Sequence, residues 1–227
     1  MTNISIIIPV FNSEKTIAPL VRGLFAALES DYALEVVLVN DASKDGSRDA
    51  CLMLQRERTA QVRFIDLEKN IGEHAAVMRG LRECRGDVAV IMDDDFQNPV
   101  SEVPKLIAAL LNGGRDVVYS YYDRKKHSVF QNILSAVNNE TMTLLLGKPR
   151  DLYLSSFKAL NRRAIDALLT YHTESPYIDA LLLKETRNIG RVRVEHHARR
   201  EGRSGYTLSK HVRLWFATIR SALSGKA

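Results

Sequence analysis

Much that would identify a chain quickly is missing from this one. Its 227 residues hold two cysteines, Cys51 and Cys84, with no CxxC pair between them. That excludes a disulfide scaffold and favours reduced thiols in a cytosolic setting. No cluster of histidine and cysteine has zinc-site spacing. The apolar run Ile4-Ser5-Ile6-Ile7-Ile8 is too short for a signal-peptide core and stops at Pro9. No apolar stretch approaches the roughly 20 residues that cross a bilayer. Internal repeats, low-complexity tracts and Pro/Gly/Ser-rich linkers are absent too, so one main domain is expected.

The chain is 45% apolar and 26% charged, an ordinary globular balance, and its net charge of +5 mildly favours anionic partners. Arginine concentrates between Arg187 and Arg203, but no basic-aromatic surface pattern accompanies it, so nucleic acid is not an expected partner. Within the first half, short β-branched runs alternate with helical patterns. Strands are expected at 4–10, 34–40, 62–67, 87–92 and 116–121, with helices from about Ser13 to Leu28, at 48–59, at 74–83 and at 99–111. Such alternation implies an α/β fold with a mainly parallel sheet. The second half predicts helices at 129–146, 162–170 and 207–223, and a strand at 191–195.

Chemistry gathers where the strands end. Val88 to Met92 runs directly into Asp93-Asp94-Asp95. Three adjacent carboxylates are costly to bury without a cation. Asp93 and Asp95 share a face if the segment is extended, with Gln97 as a third oxygen donor for Mg²⁺ or Mn²⁺. After the first strand, Pro9-Val10-Phe11-Asn12-Ser13-Glu14 turns into a helix whose amides can face an anion, with Phe11 against a base or ribose and Glu14 toward hydroxyls. After the second, Asn40-Asp41 offers Asp41 to a nucleobase edge. After the third, Gly72 allows a left-handed turn or a close backbone approach, and His74 reads more readily as structural than catalytic.

In order, Pro-Val-Phe-Asn-Ser-Glu, Asn-Asp-Ala-Ser-Lys-Asp-Gly-Ser, Asn-Ile-Gly-Glu-His-Ala-Ala and Asp-Asp-Asp-Phe-Gln-Asn-Pro resemble the inverting family 2 glycosyltransferases of GT-A fold. Among these the chain is most similar to polyprenyl-phosphate sugar transferases, including dolichyl-phosphate mannose synthases and the bacterial enzymes that load glucose or an aminoarabinose onto undecaprenyl phosphate. The resemblance implies a Rossmann-like GT-A domain over residues 1–206 and a C-terminal amphipathic helix and tail over 207–227. It implies a nucleotide-sugar site of Pro9, Phe11, Asn12, Glu14, Asp41, Gly72, Asp93 and Asp94, with Asp93, Asp95 and Gln97 holding the metal. Arg124, Ser135, Asn139 and Arg203 would grip the acceptor phosphate. Catalytic roles would fall to Asp95, Arg124, Asp151, Arg200 and Arg203. Four positions depart from the family pattern: Asn40 for a frequent Asp, Asp94 and Phe96 for a small residue and Leu, and Gln131 for an Arg.

The expected reaction moves one sugar from a nucleotide diphosphate-sugar, UDP-linked by resemblance, to a polyprenyl phosphate with inversion. Two other readings stand beside it: a soluble family 2 enzyme acting on a sugar hydroxyl, with Asp151 as base, and a non-catalytic nucleotide-sugar binding partner of a membrane subunit. The family's usual pair of C-terminal transmembrane helices is not found in these residues. The expected location is therefore cytoplasmic, with peripheral contact at the inner membrane face through the 207–223 helix, against the alternative that this helix packs on the core or a partner. A homo-oligomer is compatible with the sequence.

Overall fold

The computed structural model describes residues 1–122, 140, 143–173, 176–197 and 219–221. In chain order these form β1 (Asn3–Val10), α1 (Ile17–Leu28), β2 (Ala33–Asn40), α2 (Ser47–Glu57), β3 (Val62–Asp66), α3 (Glu73–Glu83) and β4 (Val88–Ile91). A 3₁₀ turn, Val100–Glu102, then leads into α4 (Val103–Asn112). Next come β5 (Val117–Tyr121), β6 (Lys158–Asn161), α5 (Arg162–Leu169), α6 (Ile178–Glu185) and β7 (Ile189–Arg193). The sheet order is β3-β2-β1-β4-β6-β5-β7, and β6 alone runs antiparallel to its neighbours, β4 and β5.

Strand alternation divides the core into two layers. Ile4, Ile6, Ile8 and Val10 of β1 join Val36, Leu38, Val88 and Val90 under α1, α2 and α4. Ile7, Val37, Val39, Ala89 and Ile91 point the other way, toward α3, α5 and α6. Because both faces are covered, the strands are apolar at nearly every position. Gly80 lets α3 lie close to the sheet, since a Cβ there would stand 2.6 Å from Ile7 Cγ2.

The five expected strands of the first half are all present, with ends shifted by a residue or so, and α1 starts later than expected. The Ser13 carbonyl accepts the amides of Thr16 and Ile17, giving a leading turn before the helix proper. Two elements lay outside the sequence expectation. β6 has only four residues, Lys-Ala-Leu-Asn, and opens on a buried lysine. α6 buries Ile178, Ala180, Leu181, Leu182 and Leu183, so it has no amphipathic stripe to betray it. Of the helix expected at 207–223, residues 219–221 are described and helical. Ser221 is fully buried there, and its hydroxyl accepts the Tyr177 amide at 2.9 Å. At that point the chain docks on the domain. No helix among the described residues is long and apolar enough to cross a membrane.

Candidate active site at the strand ends

The carboxyl ends of β3, β2, β1 and β4 are neighbours along one sheet edge, so their loops share one cleft. Each loop contains a residue with positive φ: Asn12 at 56° after β1, Ala42 at 55° after β2, Gly72 at 91° after β3 and Phe96 at 61° after β4. Asn12, Ala42 and Phe96 are the non-glycine examples among the described residues. Such conformations cost on the order of 1–3 kcal/mol each and persist where the surroundings enforce them, commonly at functional sites.

Carboxylates do much of the enforcing. Asp94 Oδ2 accepts the Phe11 amide at 3.0 Å and the Ser13 hydroxyl, tying the β4 loop to the β1 loop. Burial, assisted by the charges of Asp93 and Asp95, pushes its carboxyl up to about 6, against the pull of those two hydrogen bonds. Asp41 is buried; its Oδ1 accepts the Ile71 amide at 2.7 Å and its Oδ2 the Gly72 amide at 2.9 Å. Both oxygens thus latch the β3–α3 loop, a contact the sequence reading did not include. Glu14 Oε2 likewise accepts the Gly46 amide at 2.8 Å. Asn12 accepts the Lys44 amide at 2.8 Å through Oδ1 and donates its own amide to Ser43 Oγ. Phe11 remains 45% exposed, an apolar ring at the mouth of the cleft.

β4 stops at Ile91, and Asp93 to Pro99 is a bent loop. The two-residue alternation that put Asp93 and Asp95 on one face does not apply to a bent loop. Asp93 Oδ2 accepts the Ser156 hydroxyl at 2.6 Å. Asp95 is buried, and its Oδ1 accepts the Gln97 amide at 3.0 Å. Gln97 Nε2 lies 3.4 Å from His196 Nε2, and the Gln97 carbonyl accepts the His197 amide. The described residues contain no cluster of three acidic, histidine or cysteine side chains that could hold a metal on their own. The donor set still suits a hard divalent cation. Asp93 pushes the carboxyl of Glu73 upward as well as that of Asp94, and Asn98 Oδ1 in the same loop is buried with no hydrogen-bond partner among the described residues.

Sequence reasoning missed the opposite wall. The Val194 amide donates to the Tyr121 carbonyl, Glu195 donates its amide to buried Glu102, and the His196 ring lies 4.2 Å from Tyr122. Glu73 is reached by solvent, yet protein crowds it closely enough that burial, then the Asp93 charge, drives its carboxyl up to about 8. Nearby, Lys158 and Asp179 form a buried ion pair, with the Tyr119 hydroxyl donating to Asp179 at 2.9 Å. His74 stands edge-on to Tyr177 at 4.8 Å, and burial lowers it to about 4, so it stays neutral as its structural reading requires.

A family model for glycosyl transferase family 2 matches residues 5–169. The chain belongs to that family. Undecaprenyl-phosphate 4-deoxy-4-formamido-L-arabinose transferase of Pseudomonas fluorescens Pf-5 is 34% identical over 217 residues, covering 95% of this chain and 64% of that protein. The Salmonella paratyphi A protein of the same name is 31% identical, covering 95% and 66%. The chain thus spans slightly less than two thirds of the length of these curated relatives. Among solved structures, glucosyl-3-phosphoglycerate synthase from Mycobacterium tuberculosis with Mn²⁺, UDP-glucose and phosphoglyceric acid shares the fold at a TM-score of 0.72 and 21% identity, over 98% of this chain and 79% of that one. Its complex with Mn²⁺, UDP and glucosyl-3-phosphoglycerate gives 0.71 and 20%, over 97% and 80%. The sheet flanked by helices is the GT-A arrangement expected.

Two departures of this family 2 chain acquire physical reasons. Asn40 Nδ2 donates to Asp66 Oδ1 at 2.7 Å, so an aspartate at position 40 would set two carboxylates against each other. Asp94 is a tie between loops, which a small residue could not be. Arg124, Gln131, Ser135, Asn139, Arg200 and Arg203 lie outside the described residues. Asp151 is described: its carboxylate is 70% exposed and paired with Arg191 at 2.8 Å, a surface pairing. The segment it opens reaches the cleft instead through Tyr153, whose ring lies 5.8 Å from Tyr122 and whose hydroxyl pKa is raised by burial and by Asp93.

Proposed function

We propose that this chain is a metal-dependent inverting glycosyltransferase that moves a sugar from a nucleotide diphosphate-sugar, UDP-linked, to a polyprenyl phosphate. The observation that carries the reading is the convergence of four strand-end loops on the Asp93–Asp95 carboxylates. The donor half is further supported by the UDP and Mn²⁺ in the fold relatives, and the acceptor half by the names of the undecaprenyl-phosphate relatives.

Mn²⁺ or Mg²⁺ would be held by Asp95 and Asp93, with Gln97 and His196 in the same corner. The cation supplies charge neutralisation at the donor's diphosphate. Around it the chain does the positioning. Phe11 offers a ring face to the nucleoside, while Asp94, Asp41, Asn12 and Glu14 hold the loops rigid. Outside the described residues, Arg124, Arg200 and Arg203 suit a clamp on phosphate oxygens, since guanidinium groups bind these in bidentate fashion, and Ser135 and Asn139 suit the acceptor phosphate. An oxygen of that phosphate attacks the anomeric carbon from the face opposite the diphosphate; the bond to the diphosphate breaks, and configuration inverts. The attacking oxygen is already anionic, so the step needs no general base. The surface pairing of Asp151 favours this over a sugar-hydroxyl acceptor, which requires one. Work at a polyprenyl phosphate would place the chain peripherally at a membrane face.

The test is a donor screen read by mass spectrometry, with undecaprenyl phosphate and a simple sugar as competing acceptors. Glycosylated lipid phosphate is the expected product. Transfer only to the sugar would overturn the acceptor assignment, and absence of any Mn²⁺-dependent donor turnover would overturn the whole reading.

A further inference from the structure

Asp93 is held in part by a segment of the chain that the family motifs do not include. Ser156 stands two residues ahead of Lys158, the first residue of β6. Because β6 is antiparallel, its start lies at the carboxyl end of β4: Lys158 pairs with Ile91 on one side and with Tyr119 on the other. Ser156 therefore enters the cleft at the edge where the parallel strands finish, and its hydroxyl donates to Asp93 Oδ2 at 2.6 Å.

The chain is anchored on both sides of Ser156. Ser155 Oγ is 2.8 Å from Ser120 Oγ and 3.2 Å from the Tyr122 hydroxyl, and it accepts the Phe157 amide at 3.1 Å. Lys158 is fixed by its buried pair with Asp179. The serine hydroxyl is thus delivered from a segment with little freedom to shift.

We infer that Ser156 is a positioning residue that fixes the Asp93 carboxylate for the metal–diphosphate end of the donor. The inference rests on the proposed donor site. Partners that orient a ligating carboxylate typically contribute about 10- to 100-fold in metal affinity or activity.

The test uses the full chain with Ser156→Ala and Ser156→Thr, and measures Mn²⁺ binding by electron paramagnetic resonance and UDP binding by calorimetry with Mn²⁺ present. Ser156→Ala should weaken Mn²⁺ binding in the presence of UDP by about 10- to 100-fold. Raising Mn²⁺ should restore UDP binding, which a general structural defect would not allow. Ser156→Thr, which keeps the hydroxyl, should stay within about threefold of wild type, and an Asp93→Asn background should remove most of the Ser156→Ala effect. Wild-type affinity in Ser156→Ala overturns the inference while leaving the donor site standing, as does an Ala effect undiminished in the Asp93→Asn background. If Ser156→Ala fails to fold, loss of affinity in a folded Ser156→Thr overturns it as well. Wild-type protein that binds neither Mn²⁺ nor UDP overturns the donor site itself, and this inference with it.

Discussion

The two halves of the sheet deliver residues to the cleft by opposite rules. In β3, β2, β1 and β4 the functional loop follows its strand, so each motif sits just after an apolar run. In the other half, β6 runs backward, and Ser155 and Ser156 reach the same edge by preceding their strand. The first half is held by carboxylates that accept backbone amides, as Asp41 does from Ile71 and Gly72. The second rests on buried side-chain partners, chiefly Lys158, Asp179 and Tyr119. A motif scan reads the first kind of site and passes over the second.

Substitutions can break this contrast at its widest point. Asp95→Ala should lower kcat/KM for UDP-sugar turnover by roughly a thousandfold, about 4 kcal/mol of transition-state stabilisation, because the ligand set for the cation loses a carboxylate. Asp151→Asn should leave it within about threefold, since an exposed pair with Arg191 contributes only about 0–1 kcal/mol. Steady-state kinetics over a Mn²⁺ titration check both. A large Asp151 effect would return the acceptor half to base catalysis and to a hydroxyl acceptor.

The two halves should also unfold for different reasons. Lys158→Ala strands Asp179 in the core and should destabilise the domain by about 3–5 kcal/mol, as breaking one side of a buried pair generally does. Asn40→Asp, in the donor half, should cost about 1–3 kcal/mol by replacing the amide donor to Asp66 with a second carboxylate, and Asp66→Asn should recover part of it. Urea midpoints of the single and double variants measure each cost.

How much of this was legible follows from the same contrast. The strand ends and the GT-A fold were accessible because local sequence and local geometry coincide there. The uses of Asp41 and Glu14 were not: the donors to their carboxylates are amides some 30 residues away, which only the folded sheet brings near. β6 escaped because its four residues begin with a lysine whose partner, Asp179, lies 21 positions on. The pairing of Asp151 with Arg191 was hidden for the same reason, because the two lie 40 positions apart. His196 could have been suspected from its place in the arginine-rich segment, but its contact with Gln97 spans 99 residues.

The smallest expected effect tests whether negative charge is as crowded across the cleft as the structure indicates. In the folded chain Glu73 titrates near 8, raised first by burial and next by Asp93, whereas an unfolded glutamate titrates near its ordinary 4.5. A raised folded value means that its contribution to stability is fully present below the unfolded pKa. That contribution is lost progressively as pH climbs from about 4.5 through 8. Glu73→Gln removes this dependence. The melting temperature of the variant relative to wild type should therefore be near zero at pH 4.5 and rise steadily toward pH 8. Solvent access at Glu73 keeps the expected rise to a few degrees at most. Mn²⁺ should narrow the difference, because a cation bound by Asp93 and Asp95 offsets the repulsion that Glu73 feels. A melting difference flat with pH would mean that Glu73 is not pressed against Asp93, and that the two walls of the cleft are electrostatically independent.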